Sequence, residues 1–419
     1  GASLENIQSA FAILTPDLPG YYQISPNDNL LAGAIGPNWA MVSVGADAFL
    51  GEPVPFGSYG TFVEGLTCGN FDRSGLPSIA MIGSDGYFKT EVSLWLRSAK
   101  SSYLFDDVEY LNNSQEANAR TGDGVLNMDF NDDGQSDIVA EDWVGTTVYL
   151  SQPDGTYLPL TLGLPTGQTN MGIAISILDA SNSANSRAIT ISDSKGATPG
   201  LYTYVWNGTG FNSAVVDSSA IPASVSIPPF TEADVTGDGY ADAVFCVDYV
   251  TGNAQLAVEP GDGSGSFGTA TYFNLSGTSC QNLKTADLNG DGREDVFVAD
   301  GTNLDVFLQS SSGTLNAKSA LSLTGEASDM VVTDLSGDRH LDIIVLQGAS
   351  QQIGIFWGSN AGPIGPEYTE GILFYGDGEY LYTDNGAQLS SCDFNSDGIA
   401  DVAFESDGSL YIMYGEYIN

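Results

Sequence analysis

Positive charge is scarce in this chain. Its 419 residues include 11 Lys and Arg against 53 Asp and Glu, and the formal net charge is −42. Nucleic acid and anionic membrane are therefore poor partners, since both bind through clustered basic side chains. Histidine is scarcer still, with His340 the single copy. It falls inside a repeated loop where the backbone carbonyl is the useful group. That leaves no histidine for a Ser-His-Asp or Cys-His arrangement and none for a zinc cluster. Cys68, Cys246, Cys280 and Cys392 are too few and too scattered to build a disulfide scaffold, and their spacing leaves any pairing open. Long apolar runs are missing too: no window of about 18 apolar residues suggests a membrane-spanning helix. The first residues, GASLENIQSAFAILTPDLPG, lack the basic start and apolar run of a signal peptide and are expected to open a mature form, with Gly1 and Ala2 as a cloning remnant.

What is abundant is glycine, at 51 residues, together with 11% aromatics. Such a composition suits many short strands joined by turns. Sequons at Asn112, Asn207 and Asn274 would accept glycans in a eukaryotic secretory pathway. The excess of acid calls for cations, because a charge of this size repels itself in a compact state.

One nine-residue phrase recurs: Asp, then Asn, Thr or Ser two residues on, Asp two further, usually Gly, and Asp at the ninth position. It reads DFNDDGQSD from Asp129, DVTGDGYAD from Asp234, DLNGDGRED from Asp287, DLSGDRHLD from Asp334 and DFNSDGIAD from Asp393. Weaker copies sit in phase, NFDRSGLPS from Asn70 and DASNSANSR from Asp179. Each full copy is followed by a β-rich run (IVA, AVF, VFV, IIV, VAF), and in most cases by a second apolar run and a turn. The unit is four short antiparallel strands with the acidic loop between strands one and two, which is a propeller blade.

The loop starts are about 54 residues apart, within the range of blade repeats. Seven units leave some 40 residues at the N-terminus, nearly one blade. Candidate strands there begin at Tyr21, Leu30, Trp39 and Phe49, with PNDN from Pro26 as a short, metal-free loop. The chain ends just after a third strand, so the last blade must borrow a fourth, and Ser9–Leu14 suits it because closure removes open edges. The expectation is an all-β single domain over 1–419. Residues 1–65 supply the closing strand and a degenerate first blade, and 66–419 supply seven repeats. Eight blades are favoured, and seven with an N-terminal extension are the alternative.

The loop chemistry points to calcium, a hard cation that takes six to eight oxygens. Side chains at positions 1, 3, 5 and 9 and the carbonyl at 7 supply them. The expected ligands are Asp129, Asn131, Asp133, Gln135 and Asp137; Asp234, Thr236, Asp238, Tyr240 and Asp242; Asp287, Asn289, Asp291, Arg293 and Asp295. The last two loops add Asp334, Ser336, Asp338, His340 and Asp342, then Asp393, Asn395, Asp397, Ile399 and Asp401. Gly at position 6 permits the left-handed turn around the ion. Arg339 stands there in the fourth loop and should strain it. The copy at Asp179 lacks acids at positions 3, 5 and 9, the one at Asn70 keeps only Asp72, and both are expected to bind nothing. A single Asp-Gly cluster would be an ordinary turn, but five copies in phase argue for about five calcium ions of mainly structural purpose.

These loops and their flanking strands resemble the FG-GAP/VCBS repeats of integrin alpha-chain propellers and of many secreted bacterial and fungal proteins. The resemblance spans nearly the whole chain and is strongest from about 120 to 419. It implies an extracellular module for adhesion or glycan binding more often than catalysis, with partners held on the face opposite the strand 1–2 loops. On that face acids stand beside aromatics: Asp85 and Tyr87, Asp142 and Trp143, Asp248 and Tyr249. Rings stack on sugar C–H groups and carboxylates accept from hydroxyls. The connection from Glu367 to Asp384 is rich in tyrosine, whereas Trp206 and Trp357 are expected to pack between blades. The expected function is a secreted or cell-surface module for a glycan or protein partner. A calcium-dependent polysaccharide lyase or glycosidase is the enzymatic alternative, and a scaffold within a surface assembly is the third.

Overall fold

A computed structural model describes residues 40–43, 54–58, 62–84, 89–97, 105–115, 124–142, 145–163, 173–179, 187–193, 200–218, 229–247, 254–317, 320–347, 352–375, 389–406 and 409–415. Among these the strands form seven antiparallel sheets, each with four or five strands. Blades 1 to 7 begin with the strands Phe62–Gly69, Val125–Met128, Ile173–Asp179, Phe230–Ala233, Asn282–Ala286, Asp329–Thr333 and Leu389–Cys392. These first strands neighbour one another in sequence order, and the seventh returns to the first, so they line the centre of a closed ring.

The second strand of each blade explains how the ring coheres. Asp242–Val247, Asp295–Asp300 and Asp342–Gln347 are buried at every residue. They read as unbroken apolar runs because a neighbouring blade covers each face. Successive side chains of a strand point to opposite faces, and they divide accordingly. Val296 and Val298 join a core shared with blade 4, whereas Phe297 and Ala299 join one shared with blade 6. Ile343 and Val345 face blade 5, and Ile344 and Leu346 face blade 7. One such core lies between every adjacent pair of blades, including blades 7 and 1, where Ala403, Ile412 and Phe394 meet Leu66, Ile79 and Met81.

The expected eighth blade is replaced by a different use of the N-terminal strands. Val54–Ser58 pairs with Ser409–Met413, Val54 opposite Ile412, and supplies the fourth strand of blade 7. Ala40–Ser43 pairs with Ile364–Tyr375 as a fifth, outer strand of blade 6. Two of the four segments assigned to an extra blade are thus edge strands of existing blades, and seven blades close the ring. The segments at Tyr21 and Leu30, and the expected closing strand Ser9–Leu14, lie outside the described residues.

One further expectation changes. The tyrosine-rich connection begins later than the sequence suggested, because Ile364–Tyr375 is itself a strand that includes Glu367, Tyr368 and Phe374. The cysteines, whose spacing leaves the pairing open, form two bonds between blades: Cys68 with Cys392 between blades 1 and 7, and Cys246 with Cys280 between blades 4 and 5. Sequence distance is a poor guide here because a ring brings its ends together. Trp206 does pack between blades, with its ring 6.0 Å from that of Phe130 in blade 2. Trp357 packs against the core shared by blades 6 and 7.

Candidate functional site

The five full acidic loops join strands one and two of blades 2, 4, 5, 6 and 7, and they repeat one hydrogen-bond scheme. The position-1 carboxylate (Asp129, Asp234, Asp287, Asp334, Asp393) accepts the backbone N–H of position 5 at 2.9–3.1 Å and that of position 6 at 2.7–2.9 Å. The position-5 carboxylate (Asp133, Asp238, Asp291, Asp338, Asp397) accepts the N–H of position 7 at 2.8–3.1 Å. Where position 3 is Asn131, Asn289 or Asn395, its amide oxygen accepts the position-5 N–H at 2.9–3.0 Å. The side chains of positions 1, 3 and 5 are thereby gathered on the inside of one turn. Such short Asx bonds are local, so sequence alone drives them.

Position 9, the fourth of the expected side-chain donors, also carries structural hydrogen bonds. Asp137, Asp242, Asp295, Asp342 and Asp401 open the second strands and are buried. One oxygen accepts the N–H of position 2, at 2.6–3.0 Å. The other accepts an N–H at the end of the third strand, from Ser151, Gly261, Gln309, Gly358 or Gly415, at 2.7–3.0 Å. Each of these aspartates therefore ties the acidic loop to its own blade. Burial raises the carboxyl to about 6 for Asp137, Asp242, Asp295 and Asp401, against the pull of those N–H bonds, and also raises Asp342.

Position 2 has a role that the spacing of the acids does not announce. Phe130, Val235, Leu288, Leu335 and Phe394 are all buried in the cores between blades, as is Phe71 in the degenerate loop of blade 1. The signal was present, since position 2 is apolar in every full copy. A plug at position 2 and a strut at position 9 fix the loop at both ends.

The backbone is left-handed at position 6, as expected for Gly134, Gly239, Gly292 and Gly398, and Arg339 also takes a φ of 71° there. Position 4 is left-handed as well, in Asp132, Gly237, Gly290, Gly337 and Ser396. The expected strain at Arg339 thus has a stated geometry, since a side chain at such a φ meets the following carbonyl.

Among the described residues, no three Asp, Glu, His or Cys side chains converge into a metal-holding group. The expected loop donors are a mixed set instead: carboxylates at positions 1, 5 and 9, an amide or hydroxyl at position 3, and a backbone carbonyl at position 7. All are oxygens, and calcium accepts mixed oxygen donors at flexible geometry. The donor chemistry fits a hard cation. At position 7 only the carbonyl would serve, because Gln135 and Ile399 are buried and Arg293 turns its guanidinium to Asp291.

In sequence the acid–aromatic pairs stand at or just after the last residues of the second strands Ser78–Ser84, Asp137–Asp142 and Asp242–Val247. Asp142 is the last residue of Asp137–Asp142. Trp143, Asp85, Tyr87, Asp248 and Tyr249 lie outside the described residues, so the pairs are not brought together or separated by what is described.

A ring of four-stranded blades with an acidic strand 1–2 loop defines the class. The FG-GAP-like repeat family matches residues 234–298 and 287–345, which span the loops of blades 4, 5 and 6. The chain is a β-propeller carrying FG-GAP-like repeats. No curated protein matches it in sequence. Among solved structures it is similar to an Agrocybe aegerita lectin that recognises non-reducing terminal N-acetylglucosamine. The TM-score is 0.51 at 19% identity, over 73% of this chain and 79% of the lectin. It is also similar to BBS1N in its complex with ARL6DN, with a TM-score of 0.52 at 11% identity, over 91% of this chain and 98% of that one. At these identities the likeness is one of fold.

Proposed function

We propose that the protein is a secreted or cell-surface binding module that recognises a glycan, on a propeller stabilised by calcium in its acidic loops. The observation that carries this reading is the repetition itself. Five loops place the same carboxylates on the same backbone N–H groups at one end of the blades, which is the arrangement of a fastener. Recognition is left to the opposite end, where the strand 2–3 connections pair acids with aromatics in sequence. The similar Agrocybe aegerita protein is a glycan-binding lectin, and that supports a sugar as the ligand. Two disulfides between blades support an oxidising compartment, where such bonds persist.

The test is a glycan array in calcium buffer, followed by titration of the best sugar against Trp143→Ala and Tyr249→Ala. Aromatic anchors of a binding site cost about 2 kcal/mol or more when truncated, roughly thirtyfold in affinity. The expected outcome is that loss with unchanged melting temperature. A chain that binds no glycan on the array, or variants that lose stability but keep affinity, would overturn the reading.

A further inference from the structure

The two degenerate loops flank the full loop of blade 2, and each sends an arginine onto it. In blade 1, Arg73 stands at position 4 of the degenerate loop. Its Nε donates to the Gln135 side-chain oxygen at 2.6 Å, and its Nη2 lies 3.2 Å from Asp133 Oδ2. In blade 3, Arg187 is the first residue of the second strand, the place that Asp holds in all five full loops. Its Nη1 donates to the Phe130 carbonyl at 2.8 Å, and its Nη2 pairs with Asp132 Oδ1 at 2.5 Å. The acid-to-base reversal at position 9 of blade 3 is therefore matched by an acid at position 4 of blade 2. The other full loops carry Gly237, Gly290, Gly337 or Ser396 at that point.

The rest of the contact between blades 1 and 2 follows suit. Asn70, at position 1 of the degenerate loop, donates its amide to the Gly134 carbonyl at 2.8 Å, and its own carbonyl accepts the Ser136 N–H at 2.8 Å. The Gln135 amide donates to the Phe71 carbonyl at 3.0 Å. Both oxygens of Asp133 have protein donors: the Gln135 N–H on one, Arg73 of blade 1 and the Ser151 hydroxyl on the other, whereas the arginine on Asp291 in blade 5 is Arg293 of the same loop. A guanidinium carries a permanent charge and a planar fork of donors, so it can neutralise a carboxylate and fix its direction together. A metal ion would gather oxygens of one loop, whereas these arginines gather three blades.

We propose that the acidic loop of blade 2 is held by Arg73 and Arg187 in place of a divalent cation, and that cation dependence is confined to the loops of blades 4, 5, 6 and 7. The second clause rests on the calcium reading above; the first does not.

Hydrogen exchange read by mass spectrometry separates the two. Peptides covering 129–137, 234–242, 287–295, 334–342 and 393–401 are followed with calcium and with EDTA, in the native chain and in Arg73→Ala, Arg187→Ala and the double variant. In the native chain the 129–137 peptide should exchange at the same rate with and without chelator. In the double variant it should exchange about tenfold faster in both conditions, since opening rates follow the local stability lost. The other four peptides should be unaffected by the arginine substitutions. A native 129–137 peptide that speeds up with EDTA overturns the proposal, and so does a double variant that exchanges like the native chain. If the four other loops ignore EDTA, the calcium reading fails while the arginine result still decides the arginine claim.

Discussion

Cys68 and Cys392 stand 6.4 Å apart, Cα to Cα, and their disulfide joins the first blade to the last. A propeller is a ring only if that seam holds. Other features cross it beside the shared core: Val54–Ser58 completes the last sheet, the Cys68 N–H donates to the Ser390 hydroxyl at 3.0 Å, and the rings of Phe105 and Phe394 meet edge to face at 6.3 Å.

Replacing both seam cysteines with serine should destabilise the chain by about 2–5 kcal/mol, because the bond closes a very long segment of the unfolded chain. The Cys246–Cys280 bond spans 34 residues against 324, so its loss should cost less on the same entropic argument. Denaturant midpoints of the two double variants check the order. Equal midpoints for both variants and the native chain would show that neither bond constrains the ring.

Arg339→Gly should stabilise the blade 6 loop by roughly 1 kcal/mol, because glycine adopts a φ of 71° without the clash of a Cβ. Melting curves in EDTA should show the gain directly. With calcium restored, each occupied loop adds about 2.7 kcal/mol at a hundredfold excess over its Kd, and magnesium should restore less. A melting curve indifferent to verified metal removal would end the structural-calcium reading.

Phe130→Ala should cost about 3–5 kcal/mol, the range for emptying a buried aromatic site. The Phe130 ring is fully buried against Phe211, 5.2 Å away, and Trp206. The fluorescence of Trp206 should change with it. A loss below 1 kcal/mol in urea unfolding would show that position 2 is not a plug.

Glu259 gives the chain a pH dependence. Burial, with the nearby Asp217 charge second, raises its carboxyl to about 8. The folded state therefore favours the protonated form. This contribution is fully present below the ordinary glutamate range near pH 4.5 and is lost as pH rises through about 8. Glu259→Gln should leave stability at pH 5 nearly unchanged and raise it at pH 8 by on the order of 1–3 kcal/mol, the lower figure if water screens the group. Unfolding free energies at the two pH values decide it, and identical slopes for variant and native chain would refute the assignment.

The acidic loops were legible because their geometry is local. Every bond among positions 1, 3, 5 and 7 joins residues two to five apart, so the spacing of Asp, Asn and Gly in DLNGDGRED already contains the turn. The left-handed residue at position 6 followed from glycine; the one at position 4 was hidden because Asp132 and Ser396 take it as well. The plug at position 2 is written plainly as Phe, Val or Leu, but an apolar residue in a loop becomes a plug only when a neighbouring blade covers it. Arg73 and Arg187 could be noticed in sequence only as departures within degenerate loops, since nothing local says that both reach the same neighbour.

The sequence by itself determined the repeat, the blade and the loop, because strand alternation and Asx turns act over a few residues. Only the tertiary structure decided the number of blades, the strand that closes the last one, the pairing of the cysteines and the meeting of two arginines at blade 2. Those choices join residues tens to hundreds of positions apart in the chain. Several N-terminal segments have the strand pattern to compete for each edge, and the winner is set by which arrangement covers both faces of every sheet around a closed ring.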